Sequence, residues 1–163
     1  MLQKKEVFPG VLMQSEIAAI ESGNIEYEIS GSGNNCVLVS HGLLGGTDQA
    51  RVVSDWVDRK EFRVLCISRP GYNSTPLETG IMINQQADAY AEMLKKLKIS
   101  KTVVLAFAGG APSAYSFAMR YPDKCSALVV ISGISGYYQM PFKSGPVANA
   151  ISLSAIGMDL MKH

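Results

Sequence analysis

Four apolar runs, each too unbroken to lie half in water, constrain this chain more than any other feature. They occupy residues 36–40, 62–67, 102–107 and 127–131. A strand with one wet face alternates apolar and polar residues; a strand covered on both faces reads as a continuous apolar run. Between the runs lie segments with helical spacing. One is capped by Thr47 or Asp48 and runs to about Lys60, with Val52, Val53, Trp56 and Val57 on one face. A second, residues 83–97, carries Ala87, Tyr90, Ala91, Leu94 and Leu97 at helical intervals. A third follows Gly109-Gly110, has Pro112 in its first turn, where proline is favoured, and stops at Pro122. Residues 16–22 and 25–29 flank Gly23-Asn24 and predict a hairpin of two half-buried strands, followed by a turn at 31–35. The order is a hairpin, then β-α-β-α-β-α-β. It predicts an α/β fold with a mostly parallel sheet, helices on both faces and right-handed crossovers.

Composition narrows the function classes. The 163 residues carry a formal net charge of +1, which offers no electrostatic basis for a nucleic-acid partner. Cys36, Cys66 and Cys125 are odd in number and widely spaced. That argues against a disulfide framework or a zinc site and for buried free thiols in a reducing, cytoplasmic compartment. No metal or cofactor is expected. The first ten residues, MLQKKEVFPG, lack the apolar core of a secretory signal. Residues 147–161, interrupted by Asn149 and Asp159, are too few and too polar to span a bilayer, so no membrane partner is expected. The expected organisation is a leader over 1–15, a core over 16–135, and the start of a cap or helical segment over 136–163.

In an open parallel sheet, ligands bind beyond the C-terminal ends of the strands. Three loops lie there: HGLLGG at 41–46, SRPGYNSTPL at 68–77 and AFAGGAP at 106–112. Their order and spacing carry a resemblance. Across roughly residues 16–135 the chain resembles the α/β-hydrolase superfamily. The matching features are His41-Gly42 followed by small residues, the Arg69-Pro70-Gly71-Tyr72 loop, the strand–turn–helix from Val104 to Pro112, and Tyr121-Pro122-Asp123-Lys124 before an apolar strand.

The strand–turn–helix departs from the family's G-x-S-x-G elbow, which falls on Ala106-Phe107-Ala108-Gly109-Gly110. Ala106 replaces the first glycine, and Ala108 replaces the serine nucleophile, so no acyl-enzyme can form there. The resemblance implies a strained backbone at Ala108, with φ above zero at a cost of about 1–3 kcal/mol. It also implies an oxyanion hole built from the backbone N–H groups of Leu43 and Gly109, with His41, Gly42 and Phe107 lining the pocket. Backbone donors survive loss of the serine and can still hold a carbonyl or carboxylate oxygen. The family's order of nucleophile, acid and histidine leaves the last two unplaced. His41 belongs to the oxyanion loop, and the other histidine, His163, is the last residue. Ser40, Ser113, Asp88 and Glu92 make no triad.

Two readings follow. In the preferred one the chain is an inactive, nucleophile-substituted piece of a serine hydrolase of ester-type acyl substrates. In the other it is a natural pseudoenzyme, holding a ligand or partner in the surviving pocket. In both, the expected small-molecule partner is an acyl substrate or carboxylate. The apolar strand at 127–131 is expected to be covered by self-association or by the rest of the same polypeptide, because an apolar sheet edge left open invites aggregation.

Overall fold

A computed structural model describes residues 15–133 and Ser135. The expected leader, apart from Ser15, and the whole of the expected cap segment lie outside the described residues. Six strands form one sheet in the order β1-β2-β4-β3-β5-β6. They are β1 (Glu16–Ile20), β2 (Gly23–Ser30), β3 (Asn35–Ser40), β4 (Phe62–Ile67), β5 (Thr102–Phe107) and β6 (Cys125–Ile131). β3 runs parallel to both β4 and β5, and β5 parallel to β6. β1 and β2 form an antiparallel ribbon joined antiparallel to β4. The four continuous apolar runs are thus the parallel strands, and the sheet is of the expected α/β class.

Helices α1 (Thr47–Val53), α2 (Ile83–Lys96) and α3 (Ala111–Arg120) complete the described fold. Side chains alternate faces along a strand, and the two core clusters follow that alternation. Leu38, Leu65, Ile67 and Val104 face α2 and α3, where Tyr90, Met93, Leu94 and Phe117 are fully buried. Val37, Val39, Val64, Cys66 and Leu105 face the other way, toward Ala50 and Val57.

Three local expectations need correction. The hairpin turn is Glu21-Ser22, because Ile20 pairs with Gly23 and Ala18 with Ile25; Gly23-Asn24 opens β2 instead. The first helix ends at Val53 and not near Lys60. Ser54 turns its hydroxyl onto the carbonyls of Ala50 and Arg51, and Arg59 takes the carbonyls of Ser54 and Val57. These bonds replace a further helical turn, so Val57 is buried while Val52 and Trp56 are exposed. Cys36 and Cys66 are buried, but Cys125, at the start of the edge strand, is only half-buried. Burial pushes the Cys66 thiol up to about 11.

β6 is an edge among the described strands. Leu128 and Val130 pack on the α2–α3 side, while Val129 and Ile131 on the other side are exposed. No described helix is long and apolar enough to cross a membrane.

Candidate active site at the sheet switch point

From β3 the chain moves to β4 on one side, and later returns to β5 on the other. The C-terminal ends of β3 and β5 therefore border the crevice where the winding direction reverses. The 41–46 loop leaves β3 there, and the Ala108 turn leaves β5.

The two segments touch. A Cβ added to Gly42 would stand 3.2 Å from the Ala108 Cβ and 3.0 Å from Phe107 Cδ1. A Cβ added to Gly109 would stand 3.4 Å from Leu43 Cγ and 3.7 Å from Arg69 Nη2. Thus His41, Gly42, Leu43, Phe107, Ala108 and Gly109, named from the sequence, do come together in one place. Ala108 holds φ at +46°. Phe107 is extended, and residues 108–110 form a tight helical turn that leads directly into α3. The first N–H groups of such a turn have no partner within it, and Gly109 lies in that position.

This backbone makes a prediction. A left-handed conformation costs a non-glycine residue about 1–2 kcal/mol, and glycine's extra chain entropy returns about 0.5–1 kcal/mol of that. Ala108→Gly should therefore stabilise the protein by up to about 1.5 kcal/mol, read as a raised urea midpoint. A lowered midpoint would show that Ala108 carries no strain.

His41 is fully buried and both ring nitrogens are engaged. The Arg69 N–H donates to Nε2 (2.9 Å), which fixes the tautomer, so Nδ1–H donates to the Gly42 carbonyl (2.8 Å). Burial, assisted by the positive charge of Arg69, lowers its pKa to about 4. The ring is therefore neutral at pH 7 and has no free nitrogen to act as a base on position 108.

Several site-building residues were not legible as such. Gln49 on α1 accepts from the Gly42 N–H (2.7 Å) and donates to the Leu43 carbonyl (3.0 Å). Arg69 Nη2 donates to the Gly42 carbonyl (3.0 Å). The buried Glu26 carboxylate accepts from Ser68 Oγ (2.6 Å), and the Glu26 N–H donates to Thr75 Oγ1 (2.8 Å), tying the Arg69 loop to β2. Below the elbow runs a buried hydroxyl chain. Tyr90 OH lies 2.9 Å from both Ser40 Oγ and Ser113 Oγ, and both serines donate to the Gly110 carbonyl (3.1 Å). So Ser40 and Ser113 are structural, and neither faces position 108 as a nucleophile. Asp88 binds Arg120 and Tyr121 across α2 and α3, and Glu92 accepts from Ser22. Among the described residues no three His, Cys, Asp or Glu side chains are grouped to hold a metal ion.

A crevice at the switch point, walled by a His-Gly loop and a strained strand–helix elbow, is the arrangement of an α/β hydrolase. Residues 35–152 match the family described as alpha/beta hydrolase fold, and the chain belongs to that family. It is 27% identical over 126 residues to an uncharacterized hydrolase, YcgS, of Bacillus subtilis strain 168; the match covers 77% of this chain and 44% of that protein. It is 30% identical over 117 residues to a 2-hydroxy-6-oxononadienedioate/2-hydroxy-6-oxononatrienedioate hydrolase of Pseudomonas sp, covering 69% of this chain and 41% of that one. Among solved structures it resembles an alpha/beta hydrolase fold protein from Nakamurella multipartita, with a TM-score of 0.77, 30% identity, and coverage of 91% of this chain and 51% of that chain. The chain spans about half the length of these relatives, or less.

Proposed function

We propose that this chain is a nucleophile-substituted, inert α/β hydrolase whose parent acts on ester-type acyl compounds. One observation carries the reading: the residue at the apex of the elbow, at φ +46° and facing Gly42, is alanine. The hydroxyl that would attack a carbonyl has no counterpart there. The relatives support the hydrolase class, since those with an activity in their names are largely hydrolases. Leu43 and Gly109 are read as the oxyanion donors and Ala108 as the vacated nucleophile position. The second reading, a binding module for a carboxylate, draws on the survival of those donors without the serine. β6 is read as covered by another copy or by further polypeptide, which would bury Val129 and Ile131.

Ala108→Ser tests the reading. Triad members act as a unit, so a serine without its base gains little. Both nitrogens of His41 are engaged, so this ring, the one histidine among the described residues, supplies no base. The variant should neither react with a fluorophosphonate probe nor hydrolyse p-nitrophenyl acetate above the parent chain. Stoichiometric labelling of the new hydroxyl at position 108 would overturn the inert reading and reveal a base at the elbow.

A further inference from the structure

We propose that Arg69 is a positioning residue that turns the Leu43 N–H toward the elbow and readies it for an anionic oxygen. The inference rests on reading Leu43 and Gly109 as paired donors.

The argument begins with the peptide plane. In a trans peptide, the carbonyl of one residue and the N–H of the next point in opposite directions and cannot turn independently. Holding the Gly42 carbonyl therefore aims the Leu43 N–H. That carbonyl is held twice, by His41 Nδ1 (2.8 Å) and by Arg69 Nη2 (3.0 Å). Gln49 holds the flanking planes through the Gly42 N–H and the Leu43 carbonyl. The Gly42 N–H, Gly42 carbonyl and Leu43 carbonyl all have partners. The Leu43 N–H has none among the described residues. Leu43 is 55% exposed, so its N–H stands open to a ligand beside three pinned groups.

Arg69 brings more than a hydrogen bond. It is only 6% exposed, its Nε has no hydrogen-bond partner, and no carboxylate pairs with it among the described residues. Its guanidinium lies over the Tyr72 ring at 4.9 Å, and that ring meets His41 edge-on. A buried cation without a counter-ion is costly. Here the cation borders the face of Gly109, where Nη2 would stand 3.7 Å from an added Cβ. By the same peptide geometry, an oxygen on the Leu43 N–H lies on the side of the plane away from Arg69, so the guanidinium acts through the Gly42 carbonyl and not as the oxygen's own counter-charge. The ligand class is a carboxylate or an oxyanion of an acyl group.

The experiment follows the Leu43 and Gly109 amide resonances of the full chain during titration with sodium acetate, at ionic strength held constant with chloride. In the parent both amides should shift and saturate together. In Arg69→Met the acetate affinity should fall about tenfold, the scale of losing one charge-assisted contact. Arg69→Lys, which keeps charge and one donor, should recover part of it. Unfolding midpoints of the variants separate a local effect from general loss of structure. If neither amide responds in the parent, the paired-donor reading fails and this inference with it. If the parent responds and a folded Arg69→Met binds acetate equally well, the donors stand and the role of Arg69 is overturned. A measurement on the parent alone covers the case in which Arg69→Met does not fold. The Arg69 guanidinium resonances should show hindered rotation and shift with acetate; a freely rotating, unresponsive guanidinium would overturn the inference.

Discussion

Lowering the pH from 7 to 4 is expected to remove about 3 kcal/mol of stability through His41, at the usual 1.36 kcal/mol per unit of pKa difference. Unfolded, the imidazole takes a proton near pH 6.5; folded, burial and Arg69 hold that event down to about 4. Between these values the unfolded chain binds the extra proton and the folded one does not, so stability falls as pH falls. Above pH 6.5 the ring is neutral in both states and contributes no slope. The structural consequence is specific. A proton on Nε2 abolishes the acceptor for the Arg69 N–H, and the 41–43 loop loses one of its fastenings. Asp48 and Asp88 also have lowered pKa values: in Asp48 chiefly through the Gly46 N–H, and in Asp88 because burial, the largest single influence and a raising one, is outweighed by Tyr121 and Arg120 together. Their contribution is lost below the ordinary carboxylate range, beneath most of the histidine window. Urea unfolding at pH 7, 5.5 and 4.5 checks the expectation. In His41→Gln the slope across this window should largely vanish, although the variant starts less stable. A parent whose stability is flat from pH 6.5 to 4.5 would show that the ring is accessible to protons in the fold.

The parallel strands were legible because burial on both faces leaves few polar residues, here Arg63 and Thr102 near the strand starts: 62–67 and 102–107 coincide with β4 and β5. The strand–helix turn at 106–110 was legible for a different reason, the resemblance to the family's elbow pattern, which needs small residues where a strand turns at once into a helix. What stayed hidden depends on side chains meeting across long sequence separations. Ser40, Tyr90 and Ser113 lie on a strand and two helices, and nothing local marks them as one hydroxyl chain. Arg69 could be placed in a loop but not given the Gly42 carbonyl, since that contact depends on the order β4-β3-β5. The hairpin was misplaced by two residues because Gly23 looked like turn chemistry. Its φ of +144° is used instead at a close approach, where an added Cβ would stand 2.7 Å from Thr79 Oγ1. The first helix was overextended because Val57 continues the apolar spacing, although Ser54 and Arg59 have already redirected the backbone.

Gly110→Ala should be the most damaging single change at the elbow, costing about 3–5 kcal/mol when overpacking and lost buried hydrogen bonds are combined. The reason is space, not conformation. Gly110 has φ −80° and ψ −14°, which any residue adopts readily. An added Cβ, however, would stand 2.4 Å from the Ser40 carbonyl oxygen, 2.5 Å from that of His41 and 2.6 Å from Ser40 Oγ. Two of these are backbone atoms of the central strand and the loop leaving it, so no side-chain rotation relieves the contact. Either α3 moves off the sheet or β3 bends. Both movements pull on the Gly110 carbonyl that Ser40 and Ser113 share, and so strain the hydroxyl chain through Tyr90. Each buried polar group left unpaired costs about 1–3 kcal/mol. The total rivals the stability of a marginal domain, about 5 kcal/mol at the low end. Gly109→Ala is the internal comparison. Its added Cβ would meet Leu43 and Arg69 side-chain atoms at 3.4–3.7 Å, which is ordinary contact, and it should cost less than about 1 kcal/mol. Equilibrium urea unfolding of the two variants should place the Gly110→Ala midpoint far below that of Gly109→Ala. Equal midpoints would mean that strand and helix separate freely at this junction, and that the close approach of Gly110 to β3 does not hold the elbow in place.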